Sequence, residues 1–290
     1  MNRSPEGLIY LNLGCGSHFH KEWNNLDLFR HEHVEYHDLR QPLPYPADTF
    51  AAVYCSHVLE HLTPSQGKSL AQEIYRVLAE GGVVRIVVPD LEEICREYLA
   101  RLAAAQSEPS EENISRYLWL TLELLDQLVR DKPGGLMAEV LQRRQVDEPF
   151  ITERCGDEFA AFFNRAGPPE SGAQAAQRSW AEKIISKLVS HRAAWQALKS
   201  RLKITPDPRR TGEAHRWMYD RLSLRLLLEE AGLVDFAVKK FDDSDIPHWD
   251  RYNLDRSLAG HGPRKPDSIY VEGKKPSGVA GLKALAKAKL

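Results

Sequence analysis

Cysteine is scarce in this chain, and its few cysteines lie far apart. The 290 residues include 4 cysteines, and none of them forms the C-x-x-C pair that is typical of zinc sites and redox-active dithiols. We therefore expect reduced thiols, as in a cytoplasmic protein, and no disulfide framework. The cysteines are Cys15, Cys55, Cys95 and Cys155.

A strong charge of either sign and long apolar runs are also lacking. With 39 basic and 41 acidic side chains the formal net charge is −2, so no overall positive field favours nucleic acid as a partner. No apolar run approaches the roughly 18 residues of a membrane-spanning helix, and the opening M-N-R-S-P-E-G has no apolar centre of a secretory signal. These absences predict a soluble, cytoplasmic, globular protein.

Short apolar runs alternate with turns and helical segments between residues 8 and 90. Several runs have the length and composition of buried strands, and Ser65–Leu78 carries apolar residues at helical spacing. Strands that alternate with helices predict a parallel sheet that is covered on both faces. The predicted strands are Leu8–Leu13, Trp23–Leu28, Val34–His37, Ala51–Ser56 and Val83–Val88, the last preceded by a turn at Gly81–Gly82.

The pattern changes after Asp90, where helical periodicity replaces strands. The alternation resumes with a helix at Leu222–Ala231 and strands at Val234–Phe241 and Ser268–Glu272. We therefore predict an α/β domain of residues 1–90 and 212–275, a helical insertion at 91–211 and a flexible tail at 276–290. The predicted helices of the insertion are 91–105, 110–131, 135–147, 152–165 and 178–203, with Ser110 and Thr152 as N-caps.

The stretch Ile9–Gly16, I-Y-L-N-L-G-C-G, is the most informative part of the chain. An apolar run enters a Gly-Cys-Gly turn, and Asp27 closes the next apolar segment. This order describes a buried strand, a turn without obstructing side chains and a carboxylate for a ribose. It is how α/β sheets hold a nucleoside-containing cofactor.

Several motifs together resemble a known family. The G-C-G turn, the D-L after the next strand, L-P-Y-P-A-D-T-F-A-A-V-Y-C-S-H-V-L-E-H-L and R-V-L-A-E-G-G-V-V-R-I-V-V-P-D follow one another in order. They resemble class I S-adenosylmethionine-dependent methyltransferases, in the type-11-like branch found among bacterial polysaccharide-cluster enzymes. The resemblance covers about residues 1–95 and, more weakly, 212–275. It implies a Rossmann-like, mostly parallel sheet of seven strands, with the helical insertion between the fifth and sixth.

The resemblance implies a cofactor-binding role for residues at three strand ends. Gly14 and Gly16 would let the backbone approach the amino-acid part of S-adenosylmethionine. Asp27 would accept hydrogen bonds from the ribose hydroxyls. Asp38 would face the adenine amine, with Leu39 against the ring.

Other residues of the resemblance would lie near the transferred methyl group. Ser56 would contact the cofactor, and the adjacent His57 is the favoured general base. Asp90 is a candidate catalytic carboxylate, but with Glu93 three residues later it is also a helix cap, which we favour. His215 is a further catalytic candidate. It belongs to a polar-aromatic cluster that is either a substrate wall or the packed entry to a helix with Asp220 or Ser223 as cap. The cluster comprises His215, Trp217, Tyr219 and Asp220.

The glycine motif departs from the family pattern. Asn12 stands where the family has an acid, and His18 where it has a third glycine. Too few residues separate Gly16 from Asp27 for a full helix. These departures argue against NAD, because a dinucleotide site needs the helix that opens at the third glycine to seat a pyrophosphate.

The segment His57–His61 is formally an H-x-x-E-H motif, which suggests a metal site. On a helix the imidazoles of His57 and His61 would share a face and, with Glu60, could hold a divalent ion. A zinc hydrolase is disfavoured because the motif directly follows a sheet strand. A divalent ion that assists an acceptor hydroxyl is an open alternative. We favour Glu60 and His61 as residues that brace the loop by hydrogen bonds.

The expected activity is methyl transfer from S-adenosylmethionine to an oxygen of a small molecule or of a sugar or glycan, with the insertion shaping the acceptor site. The alternative is a non-catalytic S-adenosylmethionine-binding partner or scaffold in a glycan-assembly complex. The basic amphipathic segment 180–204 either contacts an anionic membrane surface or is a solvated face over a core stripe.

Overall fold

The computed structural model describes residues 1–143, 146–166, 207–252, 254–258, 260 and 262–278. Its centre is a seven-stranded sheet in which the first five strands of the chain are parallel and the last strand of the chain is antiparallel to its neighbours. The strands are β1 Tyr10–Leu13, β2 Asn24–Asp27, β3 Val34–Tyr36, β4 Phe50–Ser56, β5 Leu78–Pro89, β6 Val234–Lys239 and β7 Ser268–Lys274.

The strand order is β3-β2-β1-β4-β5-β7-β6, and β7 pairs antiparallel with both β5 and β6. This confirms the predicted Rossmann-like α/β sheet. The helices are α1 Pro64–Val77, α2 Leu91–Ser107, α3 Glu111–Val129, α4 Gly135–Arg143, α5 Glu148–Cys155, α6 Asp157–Ala166, α7 Pro208–Thr211, α8 Arg221–Glu230 and α9 Trp249–Tyr252, with a 3-10 turn at Leu59–His61.

Both faces of the sheet are buried, which explains the nearly continuous apolar runs in its strands. On one face α1 and α8 contribute Leu70, Ile74 and Leu224 to the core. On the other face Trp23 and Trp249 belong to an aromatic cluster formed by strand residues and the segment before β7. The insertion helices have a separate hydrophobic cluster of their own.

The fifth strand begins earlier than predicted. It starts at Leu78, directly after α1, and the register shifts between its pairing with Phe50 and its pairing with Ala52. The predicted turn at Gly81–Gly82 therefore lies inside a bulged strand. A Cβ on Gly82 would lie 3.0 Å from the Phe50 carbonyl oxygen, so the close approach of β4 requires a glycine there.

Caps define the helix ends near the sheet. Thr63 and Gln66 form a reciprocal capping box on α1, and Asp220 forms one with Ser223 on α8. Asp90 accepts hydrogen bonds from the first turn of α2, which confirms the predicted cap.

The predicted helix 152–165 is wrong as a single element. The chain forms α5 and α6 with a break at Gly156, and Asp147, not Thr152, caps α5. Ser110 does cap α3 as predicted. The predicted helix 178–203 with its basic segment 180–204, and most of the predicted tail, lie outside the described residues. Within the described ranges, each helix is too short or too polar to cross a membrane.

Candidate active site

Three cavities meet at His57, where the chain leaves the carboxyl end of β4. The first, the turn cavity, has a volume of about 230 Å³ and lies over the glycine turn after β1. The second, the loop cavity, has a volume of about 270 Å³ and lies at the ends of β2 and β3. The third, the insertion cavity, has a volume of about 870 Å³ and faces α3–α6.

The two glycines of the turn after β1 share a backbone conformation but differ in their surroundings. Gly14 has φ +64° and Gly16 has φ +53°, a region that disfavours side chains. A Cβ on Gly14 would lie 2.3 Å from a methyl carbon of Val58, whereas a Cβ on Gly16 would meet nothing within 4 Å. Gly14 therefore permits the close packing of β1 on the β4 loop, and Gly16 leaves an open surface.

Asp27 ends β2 and closes the same turn. Its Oδ2 accepts a hydrogen bond from Gly16 N at 2.8 Å and its Oδ1 accepts one from Phe29 N at 3.0 Å. Asp27 also lines the loop cavity. Because a carboxylate oxygen can accept more than one hydrogen bond, both oxygens keep capacity for a ligand.

Asp38 and Leu39 follow β3 and also line the loop cavity. Arg40 Nε and Nη2 bind the two Asp38 oxygens at 2.8 and 2.7 Å. This guanidinium lowers the pKa of Asp38. A ligand amine must therefore share this carboxylate with Arg40. The structure thus brings all the predicted cofactor residues into two cavities that share Gly14, since Ser56 lines the turn cavity.

His57 occupies a strained position between two partners. Its φ of +54° is costly for a residue with a side chain, about 1–2 kcal/mol. Its Nδ1 lies 3.1 Å from Oε1 of Glu60, and its Nε2 lies 2.9 Å from Oγ of Ser268. A carboxylate at Nδ1 favours the tautomer that carries its proton there, which makes Nε2 the acceptor.

Glu60 is completely buried at the centre of a histidine cluster. Burial opposes its ionisation, but His57, His61 and His215 together lower the pKa of Glu60 to about 2. Within the described chain neither carboxylate oxygen receives a well-oriented hydrogen bond. The predicted loop bracing is made instead by the Glu60 carbonyl, which accepts from Arg216 N at 2.6 Å, and by His61 Nδ1, which donates to the Ala214 carbonyl at 3.4 Å.

His215 joins this cluster from a distant segment. Its ring lies 4.9 Å from that of His61, and burial lowers the pKa of His215 to about 3, so it is neutral at physiological pH. Among the described residues, ligand atoms of Glu60, His61 and His215 lie within 4.8 Å of one another. This set differs from the predicted one: residues 59–61 form a 3-10 turn, and His57 is directed to Ser268.

Asp90 is not brought to the cavities. Its Oδ1 accepts from Glu92 N and Glu93 N at the start of α2, and burial raises its pKa. In the predicted polar-aromatic cluster, Asp220 caps α8, which agrees with a helix entry. His215 is the member of that cluster that lines the insertion cavity.

The insertion cavity is lined by both polar and apolar residues. Its polar lining includes Arg130, whose guanidinium donates to Asp126 at 2.8 Å and to Glu213 at 3.0 Å. Its polar lining also includes His57, His61 and His215. Its apolar lining includes Met137, Ala138, Leu141, Cys155, Phe159 and Phe162.

Sequence reasoning missed Ser268, Arg264 and Glu213, which line the cavities or hold His57. Arg264 and Ser268 lie in the segment R-K-P-D-S-I-Y, which is part of the family resemblance and was the available signal. Glu213 had none.

Part of this chain is similar to known proteins. Residues 20–86 match a protein family described as a methyltransferase domain. Over 84 residues the chain is 36% identical to an uncharacterized protein of Saccharomyces cerevisiae; the alignment covers 29% of this chain and 9% of that protein. The chain therefore spans less than a tenth of the length of this curated relative.

Solved structures of methyltransferases are also similar. An S-adenosylmethionine-dependent methyltransferase of Thermotoga maritima is 10% identical, with 92% of this chain and 82% of that chain covered and a TM-score of 0.39. One of Archaeoglobus fulgidus is 13% identical, with 92% and 86% covered and a TM-score of 0.36.

The family match spans β2 to β5, and so it includes Asp27, Asp38, Ser56 and His57. The sheet has the seven, mostly parallel strands that the resemblance implied. Residues 20–86 are therefore similar to a methyltransferase domain, and they lie within a Rossmann-like sheet.

Proposed function

We propose that this protein transfers a methyl group from S-adenosylmethionine to a hydroxyl oxygen of a small molecule with an apolar body. The observation that carries the proposal is the position of His57, which lines all three cavities. A base at this junction lies between a cofactor in the first two cavities and an acceptor in the third.

The described residues fit the cofactor. The turn cavity exposes the backbone at Gly16, where no side chain stands within 4 Å of the Cβ position, and suits the amino-acid end. The loop cavity offers the Asp27 carboxylate to ribose hydroxyls and Leu39 to the adenine ring. The bound cofactor supplies an activated methyl sulfonium, so the protein mainly aligns an in-line displacement.

His57 takes up the proton of the acceptor. The Glu60 carboxylate lies 3.1 Å from Nδ1 and its charge favours a proton on that nitrogen, and Ser268 hydrogen-bonds Nε2 when no acceptor is present. An acceptor hydroxyl that replaces Ser268 can pass its proton to Nε2 as its oxygen forms the new bond to carbon and the carbon–sulfur bond breaks. General base catalysis of this kind contributes about 10²- to 10⁴-fold.

The insertion cavity favours an apolar acceptor over a sugar. Its volume of about 870 Å³ lies in the range of small-molecule sites. A sugar would place hydroxyl groups against Met137, Leu141 and Phe162 and lose their hydrogen bonds to water. A glycan acceptor, and with it a role in polysaccharide synthesis, is the weaker candidate.

The test is release of S-adenosylhomocysteine by the purified protein with two acceptor panels, hydroxylated apolar compounds and sugars. We expect turnover with the first panel and a loss of at least about 100-fold in His57→Asn, with unchanged cofactor affinity by calorimetry. His33→Asn is the matched control, since His33 is an exposed histidine whose φ is also positive, +62°.

Three outcomes would contradict this proposal. Cofactor binding without turnover on either panel would favour the non-catalytic binding protein. Turnover with the sugar panel alone would show that the acceptor is a sugar and not an apolar hydroxyl compound. Full activity of His57→Asn would remove His57 as the base.

A further inference from the structure

The turn cavity contains buried polar atoms that have no partner. Asn12 Oδ1, Ser56 Oγ and Arg264 Nε are each buried without a hydrogen bond in the described structure, and all three residues line this cavity. Asn12 is only 1% exposed and Ser56 only 8%. Buried polar groups in folded proteins are nearly always hydrogen-bonded, so this coincidence in one cavity points to a polar ligand.

The orientation of the Asn12 amide is set by its neighbours. Asn25 Nδ2 donates to the carbonyls of His20, Trp23 and His33, so Asn25 presents its oxygen to Asn12. Asn12 Nδ2 donates to that oxygen at 3.2 Å. The Oδ1 of Asn12 is therefore the atom that remains to accept a hydrogen bond.

These groups complement an α-amino acid zwitterion. Asn12 Oδ1 and Ser56 Oγ are acceptors for the donors of an ammonium group. The guanidinium of Arg264 is a forked donor that suits a carboxylate. Asn12 stands where the family motif has an acid, and its neutral amide adds no negative charge that would compete with a ligand carboxylate for Arg264.

Arg264 is held in place from two sides. The backbone N–H of Arg264 donates to the Asp255 carbonyl at 2.7 Å. The Asp255 carboxylate in turn accepts hydrogen bonds from Arg85 Nε at 2.7 Å and Tyr54 OH at 2.5 Å. On the other side, a Cβ on Gly156 would lie 2.3 Å from the Arg264 carbonyl oxygen. The sheet and the insertion together thus fix the backbone that presents this guanidinium.

We propose that Arg264, with Asn12 and Ser56, recognises the α-carboxylate and α-ammonium groups of the cofactor. This rests on the cofactor binding in the proposed function, and it assigns the anchoring of the amino-acid end to the segment before β7 as well as to the glycine turn. Arg264 is a specificity-determining residue that distinguishes the cofactor from adenosine thioethers that lack the amino acid.

The test compares two ligands on the full-length protein by calorimetry. S-adenosylhomocysteine carries the amino-acid end, and 5′-methylthioadenosine lacks it. We expect Arg264→Gln to weaken S-adenosylhomocysteine about 10- to 150-fold, and Ser56→Ala to weaken it by a smaller factor, while each variant leaves 5′-methylthioadenosine unchanged. Arg256→Gln is the matched control, because Arg256 lies in the same segment but its guanidinium is stacked over Phe241.

The results separate the possible failures. An equal loss of both ligands in Arg264→Gln would mean a structural role and overturn the proposal, as would unchanged S-adenosylhomocysteine affinity. Ser56→Ala barely changes the volume of the side chain. If Arg264→Gln folds poorly, Ser56→Ala tests the same ratio of the affinities for S-adenosylhomocysteine and 5′-methylthioadenosine. If the wild-type protein binds neither ligand, the cofactor site of the proposed function fails as well.

Discussion

Replacement of Asp27 by asparagine tests the ribose contact most directly. The change keeps the shape of the side chain but removes its charge and one acceptor oxygen. Oδ2 of Asp27 accepts a hydrogen bond from Gly16 N, and Oδ1 accepts one from Phe29 N. The NH₂ group of an asparagine at this position must therefore face one of these N–H groups or turn toward the ligand. We therefore expect the loss of one charge-assisted hydrogen bond to a ribose hydroxyl.

Such a bond contributes about 1.5–3 kcal/mol, which corresponds to a roughly 10- to 150-fold increase in Kd. The assay is calorimetry with S-adenosylhomocysteine and with its 2′-deoxy analogue. If Asp27 binds the ribose, the loss caused by Asp27→Asn is smaller for the deoxy ligand, as in a double-mutant cycle.

Asp242→Asn is the control, because Asp242 is an exposed acid and its replacement changes the net charge by the same amount. An affinity of Asp27→Asn within twofold of wild type for both ligands would refute the reasoning. An equal loss for both ligands would show that the carboxylate only shapes the turn.

Three further predictions concern stability. In Arg85→Met the buried carboxylate of Asp255 loses its ion-pair partner, and urea unfolding should show a loss of about 3–5 kcal/mol; a loss below about 1 kcal/mol would contradict this. The pKa of His215 is lowered to about 3 in the folded protein, whereas an unperturbed histidine has a pKa of about 6.5. As the pH falls below about 6.5, His215 therefore takes up a proton in the unfolded chain but stays neutral in the folded one. Stability that is fully present above that value should fall with decreasing pH, by up to about 1.4 kcal/mol per pH unit, and His215→Gln should have a flatter profile between pH 6.5 and 4.5. Gly14→Ala places a methyl group against Val58 at a φ of +64° and should lower the thermal midpoint, whereas Gly16→Ala, with open space at its Cβ, should lower it less.

Features of the fold that depend on interactions between residues close together in the chain could be predicted from the sequence. The caps at Ser110 and Asp220 bind N–H groups three residues away, so their signals lie within a few positions of the chain. Features that depend on remote contacts were not readable. The bulge in β5 lies where this strand pairs with Phe50 on a neighbouring strand, and the break between α5 and α6 lies at Gly156, which packs against the Arg264 carbonyl.

The sequence by itself determined which residues stand at the carboxyl ends of the parallel strands, because strand periodicity and the family motifs are both continuous in the chain. That was enough to place Gly14, Asp27 and His57 at one edge of the sheet. Only the tertiary structure decided what surrounds them: β7 runs antiparallel and brings Arg264 and Ser268 to the same edge. Contacts between segments so far apart in the chain are set by packing, for which no local pattern of residues provides a signal.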